Sequence, residues 1–456
     1  MPEIVADNIS VVRSGELGAT TRVDAEYYHP QYLKQVDNIT RLQHRKLSDV
    51  ALISDGNHIS ISNKFSSAGV RYLRGQDLSD FFISDQDPVF IPEGTYYSLS
   101  RSHMLPGDVL VGIVATIGTV GLVTDRHGKL TGNCKLAIVR TNQIQPEFLA
   151  AYLDSKAGKN EVVRRIRGAV QMGLILPDLR EIPVPLFSYE FREQIANLVR
   201  QSYEKNNNSR TLYSQAETLL LGELGIKDIA LSHDPCYEVN SADTVSANRI
   251  DAEYYQPKYE RVIEAIKKHP YKSIGDMFRL VKGIEPGSSV YCEEGKPFIR
   301  VSNLNKFEIN NNNQQYLSKE TYSALVSQYQ PLRGEILLSK DATPGIAYHL
   351  KEQMEGIISG GILRLQALSD TNKEYVCLAI NSIIGQSQIE RDSGGSVISH
   401  WKPAQIKNTL IPFLPPKVQD EIEHLCTESF SARRQAKELL EEAKRKVEEM
   451  IEKGSE

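Results

Sequence analysis

No stretch of this sequence is long and apolar enough to cross a bilayer as a helix. The longest apolar-looking run, Val109 to Val123, is 15 residues and is interrupted by Gly112, Thr116, Gly118 and Thr119. A spanning helix needs about 20 apolar residues, so buried strands joined by turns explain this run better. Cysteine is scarce: the five are Cys134, Cys236, Cys292, Cys377 and Cys426. They are odd in number, widely scattered and without a C-x-x-C pair, which argues against a disulfide framework and a structural zinc site. A reducing cytoplasm is the expected location. The stretch Met1 to Asp7 lacks a basic patch followed by an apolar core, so no secretory signal is expected. An excess of positive charge is missing too. The formal net charge is −5, with 15 Lys+Arg against 14 Asp+Glu over residues 46–187 and near balance over 273–414. A nucleic-acid partner would therefore have to meet positive charge gathered on one face.

What the sequence has is a repeat. Arg22-Val-Asp-Ala-Glu-Tyr-Tyr-His-Pro-Gln-Tyr32 returns as Arg249-Ile-Asp-Ala-Glu-Tyr-Tyr-Gln-Pro-Lys-Tyr259, identical at eight of eleven positions, at an offset of 249 − 22 = 227. That is almost half of 456 residues. The offset holds along the chain. Leu105-Pro-Gly-Asp-Val-Leu110 answers to Leu332-Arg-Gly-Glu-Ile-Leu337, Ala115-Thr116 to Ala342-Thr343, and Ile195 with Leu198 to Ile422 with Leu425. Between these, Tyr72-Leu-Arg74 matches Phe298-Ile-Arg300 with a slip of one residue. A slip that is later compensated is the mark of a divergent duplication.

Within each copy the pattern predicts a polar arm threading as extended chain (1–21, and 239–248), then a short helix after Pro30 or Pro257. The Tyr27-Tyr28 and Tyr254-Tyr255 pairs suit packing anchors between arm and domain. Short β-type runs follow, such as Val70–Leu73, Val89–Ile91, Val109–Val111 and Leu136–Val139, separated by Gly, Pro and Asp-rich turns. A helix from Pro146, repeated at Lys373, makes each unit α+β. Proline-punctuated exits (Ile182 to Pro185, Ile411 to Pro416) precede two long helices with heptad seams: Phe191, Ile195, Leu198, Ser202, Lys205, Ser209, Leu212, Ala216, Leu219; and Val418, Ile422, Leu425, Ser429, Ala432, Ala436, Leu439, Ala443, Val447, Met450. At about 30 residues, each would span roughly 45 Å.

The expected fold is thus α+β, a tandem pseudo-twofold repeat of two strand-rich mixed domains joined and spaced by two long antiparallel coiled-coil helices. Its segments are an arm with a short helix (1–45), a first domain (46–187), a first long helix (188–227), a linker repeating the arm and helix (228–272), a second domain (273–414) and a second long helix (415–456).

Catalytic motifs are missing: there is no P-loop, H-E-x-x-H or G-x-S-x-G. No metal or cofactor is expected. Pro177-Asp178 with Glu181 weakly resembles a nuclease carboxylate pair, but Ile182-Pro183 stands where a catalytic lysine is wanted; Asp108 and Glu335 read as structural turn acids. Basic and polar loop residues suggest recognition instead: Lys64, Arg74, Lys135, Arg164, Arg165, Arg167 and Gln171 in the first copy, and Lys282, Arg300, Lys340, Arg391, Ser396, His400 and Lys402 in the second. Arginine suits guanine edges, amides suit adenine, and lysine and hydroxyls suit phosphates.

The doubled R-[VI]-D-A-E-Y-Y-x-P motif, the L-x-G-[DE]-[VI]-L turns, the proline-rich exits, the paired helices and the half-length repeat resemble the specificity subunits of type I restriction–modification systems. The likeness covers essentially residues 20–456. It implies a non-catalytic chain in which each strand-rich unit is a target recognition domain reading one half of a split double-stranded DNA sequence. It further implies helices that set the gap and dock two methyltransferase subunits, with restriction/translocase subunits as further partners. A methylation-only or type II-like specificity chain, and a two-domain scaffold that reads no DNA, are the alternatives.

Overall fold

The computed structural model describes residues 3–17, 22–79, 81–85, 87–168, 170–226, 234–311, 313–393 and 400–454. Two compact units divide the chain: residues 1–206 with 434–456, and residues 207–433. Among the described residues, no helix is long and apolar enough to cross a membrane.

The two arms depart from the expected extended thread, each in its own way. In the first unit Glu3–Ala6 pairs with Ile9–Val11 as a hairpin about the turn Asp7-Asn8, residue types that tolerate tight turns. In the second, Ser241–Ala247 is a helix closed by Asn248 in the left-handed conformation.

The repeated motif is a clamp in both copies. Arg22 grips Asp24 through two hydrogen bonds of 2.7 Å, and Arg249 grips Asp251 through two of 2.8 Å. The guanidinium holds each of these carboxyls below the usual carboxylate range. Each aspartate also accepts the backbone N–H of the first motif tyrosine at 3.2 Å. That tyrosine lies under the guanidinium, 4.8 Å away at Tyr27 and 4.4 Å at Tyr254, and packs edge-on against its neighbour tyrosine. Arg22 donates to the Ile166 carbonyl and Arg249 to those of Arg391 and Asp392. These carbonyls lie at or just beyond the C-termini of helices Lys156–Val163 and Ile383–Asp392, where the helix dipole favours a cation. The tyrosine pairs are packing anchors. Proline then opens helices Pro30–Thr40 and Pro257–Lys267, where its missing N–H costs nothing.

Each unit carries two four-stranded sheets. In unit 1, Val120–Leu122, Val109–Gly112, Leu136–Thr141 and Ala51–Asp55 form an antiparallel sheet in that order. The second sheet runs Val89–Ile91, Val70–Leu73, Leu130–Gly132, His103–Met104, with its middle pair parallel. Unit 2 repeats the first order with Phe278–Lys282, Ile362–Ala367, Ile336–Ser339 and Ala347–His349. Its second sheet keeps the parallel pair (Lys296–Ile299 with Ile357–Ile358) but gains Tyr291–Cys292 on the other edge. Asp108 and Glu335 are buried turn acids: each accepts the turn's opening N–H (Leu105, Leu332) and an arginine (Arg140, Arg364). Burial raises the pKa of Glu335, but Arg364, the Leu332 N–H and Gln366 outweigh it and hold it low.

The helices expected from Pro146 and Lys373 are each broken by a buried serine. Pro146–Asp154 and Lys156–Val163 flank Ser155; Lys373–Asn381 and Ile383–Asp392 flank Ser382. Both hydroxyls cap the following helix, Ser155 accepting from the Gly158 N–H and Ser382 from the Ile384 N–H. The proline exits return beside the incoming chain: Pro183–Pro185 pairs with His44–Lys46, and Leu410–Pro412 with Tyr271–Ser273. Glu181 is paired to Lys46 at 2.8 Å and buried Asp178 to Arg167, which gives both carboxylates structural partners.

Tyr189–Glu223 and Pro416–Lys453 are continuous helices of 35 and 38 residues, about 52 and 57 Å long. In unit 1 the Ser202 hydroxyl donates to the Ala436 carbonyl at 2.7 Å; in unit 2 the Ser209 and Ser429 hydroxyls meet at 3.1 Å. The buried seam is shifted from the expected one at alternate steps. It runs Ile195, Val199, Ser202, Asn206, Ser209, Tyr213, Ala216, Leu220, while Lys205 is exposed. On the other helix Cys426, Leu440 and Ile451 are buried where Leu425, Leu439 and Met450 were expected. Each displaced position has an apolar neighbour one residue away or, at Lys205, an amide, so either stripe satisfies the spacing. Lys205 decides the matter because its ammonium stays in water.

The seam gives a stability test. Ser202→Leu forces a large side chain between closely packed backbones and should cost about 1–3 kcal/mol. Lys205→Leu should stay within about 0.5 kcal/mol, as an exposed substitution does. Urea denaturation of both variants measures this; equal losses would place Lys205 on the seam.

Candidate nucleic-acid interface

In each unit loops meet just beyond the C-terminal end of an inner strand, Val109–Gly112 or Ile336–Ser339, on the same backbone frame. In unit 1 the Leu174 N–H donates to the Ile113 carbonyl at 2.9 Å, and Gly173 bridges Val114. In unit 2 the Trp401 N–H donates to the Lys340 carbonyl at 2.9 Å, and His400 bridges Asp341. Every one of these positions is related by the 227-residue offset. Next along the chain, Ala115 at φ 67 and Ala342 at φ 61 hold the left-handed region although neither is glycine. The following N–H closes back across each alanine: Thr116 donates to the Val114 carbonyl at 2.9 Å, and Thr343 to that of Asp341 at 2.7 Å. This is the strained form of the three-residue γ-turn, and strain kept in both copies concentrates at sites where loop geometry matters. The Gly118 N–H then reaches the Gly112 carbonyl and the Gly345 N–H that of Ser339, both at 2.9 Å.

The side chains on this shared frame differ. Ile113, Val114, Gly173 and Leu174 in unit 1 correspond to Lys340, Asp341, His400 and Trp401 in unit 2. Around the unit 2 turn, Asp341 accepts from Lys340 and from the His400 Nδ1 at 2.8 Å. Burial raises the Asp341 pKa, but the hydrogen bonds from His400 and Lys340 more than offset it and leave it low. Trp401 is buried and anchors the loop. In unit 1 the Thr116 hydroxyl donates to the Gly75 carbonyl at 2.9 Å. A Cβ added at Gly75 would lie 3.4 Å from that of Lys135, so Arg74–Asp77, the γ-turn and Lys135 share one patch.

Lys64, Lys135, Gln171, Lys282 and Lys402 are exposed. Lys135, Gln171 and Lys402 stand on or beside the converging loops, while Lys64 ends the turn Ser62–Lys64 and Lys282 the strand Phe278–Lys282. Arg167 is partly exposed but held bidentate by Asp178 at 2.5 and 2.8 Å. Arg164 and Arg165 are turned inward. Both pair with buried Glu161, and Arg164 stacks on Tyr27 at 4.3 Å, so neither offers an open face to a phosphate. Arg391, at the offset position of Arg164, pairs with Asp392 and lies 5.4 Å from the Tyr254 ring. Arg74 and Arg300 are matched clamps: each donates to the carbonyl of a residue at φ 49, Asp87 or Asn313. Arg74 also binds buried Asp77, whose counterpart is neutral Asn303. Lys340 is drawn onto Asp341, and His400 is exposed but paired with the same carboxylate. Ser396 lies outside the described residues. Val114, Thr116, Asp341, Val170 and Met172 also stand on these loops, and the doubled Ala-Thr-x-Gly turn marks their frame in the sequence. Among the described residues, no group of three or more His, Cys, Asp or Glu could hold a metal ion.

No family model and no curated protein matches the chain. Among solved structures it is similar to the S subunit of a type I restriction–modification system from M. genitalium, at 13% identity and a TM-score of 0.40, over 91% of this chain and 96% of that one. It is also similar to a chain from a study of complex assembly and conformational transition in the type I R-M system (16%, 0.30, 90% and 97%). A third is the HsdS subunit of Thermoanaerobacter tengcongensis (16%, 0.29, 90% and 96%).

The γ-turns make a testable pair of positions. Ala342→Val and Ala115→Val should each destabilise by about 1–3 kcal/mol, because a β-branched side chain is ill-suited to positive φ. Glycine at either position should be neutral or stabilising. Thermal unfolding reads this out; valine tolerated like glycine would show that the turn is not strained.

Proposed function

We propose that the chain is a non-catalytic DNA-specificity subunit whose two strand-rich domains, residues 46–187 and 273–414, read the two halves of a split duplex target. The observation that carries this reading is the pair of interface loops: one backbone frame repeated at the 227-residue offset, with apolar side chains in one copy and Lys340, Asp341 and His400 in the other. A protein built to read two different sequences needs a constant support for variable side chains. The resemblance of the doubled clamp motif and paired helices to type I specificity subunits supports the same reading.

In this reading the helices of 188–227 and 415–456 set the gap between half-sites and dock two methyltransferase subunits, and restriction subunits join the assembly. An uneven hollow along Tyr189, Glu190, Glu193, Gln194, Asn197 and Gln201 on the first long helix suits such a partner. The near-balanced charge supports a division of labour in which the partners supply much of the phosphate neutralisation.

Half-site separation tests the reading. Lys135→Ala with Gln171→Ala should alter the sequence preference of one half-site, and Lys340→Ala with His400→Ala that of the other, when the assembled complex selects from a randomised duplex library. Each lost phosphate contact should lower the salt slope of binding by about 1. Simultaneous change at both half-sites from either pair, with the fold intact, would contradict a split reader.

A further inference from the structure

The loop Arg167–Gly173 in unit 1 is closed at its base like a hairpin. Arg167 and Gly173 exchange two backbone hydrogen bonds of 2.8 Å. Gly168, at φ 109, turns the chain so tightly that a Cβ there would lie 2.3 Å from the Gln171 carbonyl oxygen. Asp178 holds the Arg167 guanidinium from one side, and the Leu174 N–H bond to Ile113 fixes the chain beyond Gly173. This braced base carries Val170, Gln171 and Met172 outward. Val170 is fully exposed and Met172 is 59% exposed. Both side chains stand in water on this tip, outside the unit's core. Val114 lies below, its Cγ2 3.8 Å from where a Gly173 Cβ would be, and exposed Lys135 adds positive charge to the patch around Gly75 and Thr116.

An amide between two apolar side chains matches the major-groove edge of A·T pairs. Adenine offers N7 as acceptor and N6 as donor to a glutamine amide, and thymine adds a C5-methyl that only an apolar surface rewards. A G·C pair has no methyl for Val170 or Met172. Lys135, on the neighbouring patch at Gly75 and Thr116, would complement the phosphates that flank such an edge. In unit 2 the corresponding frame carries Asp341, hydrogen-bonded to His400 and Lys340, where unit 1 has Val114. Resting on the DNA-specificity reading above, the geometry points to A·T pairs in the half-site read by unit 1, with Gln171 on adenine and Val170 and Met172 on thymine methyl groups.

The test uses the full chain purified from its host with its bound subunits. A randomised duplex library first gives the selected sequence; each thymine is then replaced by deoxyuridine, which lacks only the methyl group. In one half-site the replacement should weaken binding about fourfold per methyl lost, the factor expected for one buried methyl-sized group. Val170→Ala with Met172→Ala, at exposed positions that leave the fold unchanged, should abolish that penalty and leave the other half-site as it was. Full affinity for the deoxyuridine duplex would overturn the assignment, as would a penalty that persists in the double variant. Selection of no sequence at all would overturn the DNA reading itself.

Discussion

In each unit a serine hydroxyl holds the two long helices at close range, Ser202 against the Ala436 carbonyl and Ser209 against Ser429. These side chains are almost wholly buried, and their small size lets the backbones approach. The rest of each unit is built on that contact. Ile195, Val199, Tyr203, Ala436, Leu440, Ala443 and Val447 complete the unit 1 core beneath the strands. Tyr213, Ala216, Leu220, Leu224, Ile422 and Cys426 do so in unit 2. An aromatic loop then locks each strand-rich domain to its first helix: Phe81 and Phe82 pack on Tyr203, and Phe307 on Tyr213. The Tyr203 hydroxyl donates to the Phe81 carbonyl at 2.8 Å and accepts the Leu122 N–H, so this lock is directional as well as apolar.

On that support the two copies keep what backbone geometry requires and vary what recognition would use. The Arg–Asp–Tyr clamp, the turn acids, the left-handed alanines and the bridging loop bonds all recur at the same offset. Their side-chain surroundings do not. Asp77 becomes Asn303, Val114 becomes Asp341, and Gly173 becomes His400. The bonds that close the converging loops are made by backbone, so the side chains on those loops can differ between the copies without changing the frame.

Much of the architecture was legible in the sequence because duplication prints each element twice. The strands, the short helices after Pro30 and Pro257 and the long helix pair stand where periodicity put them. What was not legible depended on partners. The seam slipped by one residue at alternate steps because Leu198 and Val199, like Leu439 and Leu440, both fit a helical stripe, and only packing chooses between them. The polar arms became a hairpin and a helix through local turn chemistry that weak periodicity hides. Arg164 and Arg165 read as interface cations because sequence shows charge but not Glu161 folded back beneath them. The frame itself was partly visible: Ala115-Thr116 and Ala342-Thr343 marked the register, but the strain they carry is a property of φ.

The most direct measurement is base-modification sequencing of the host genome with this gene intact and deleted. The account predicts that deletion removes methylation from one split motif, two short defined half-sites at fixed spacing, and leaves other modification unchanged. An identical methylation pattern in both genomes, with the chain expressed, would contradict the central claim that it directs modification to a bipartite target.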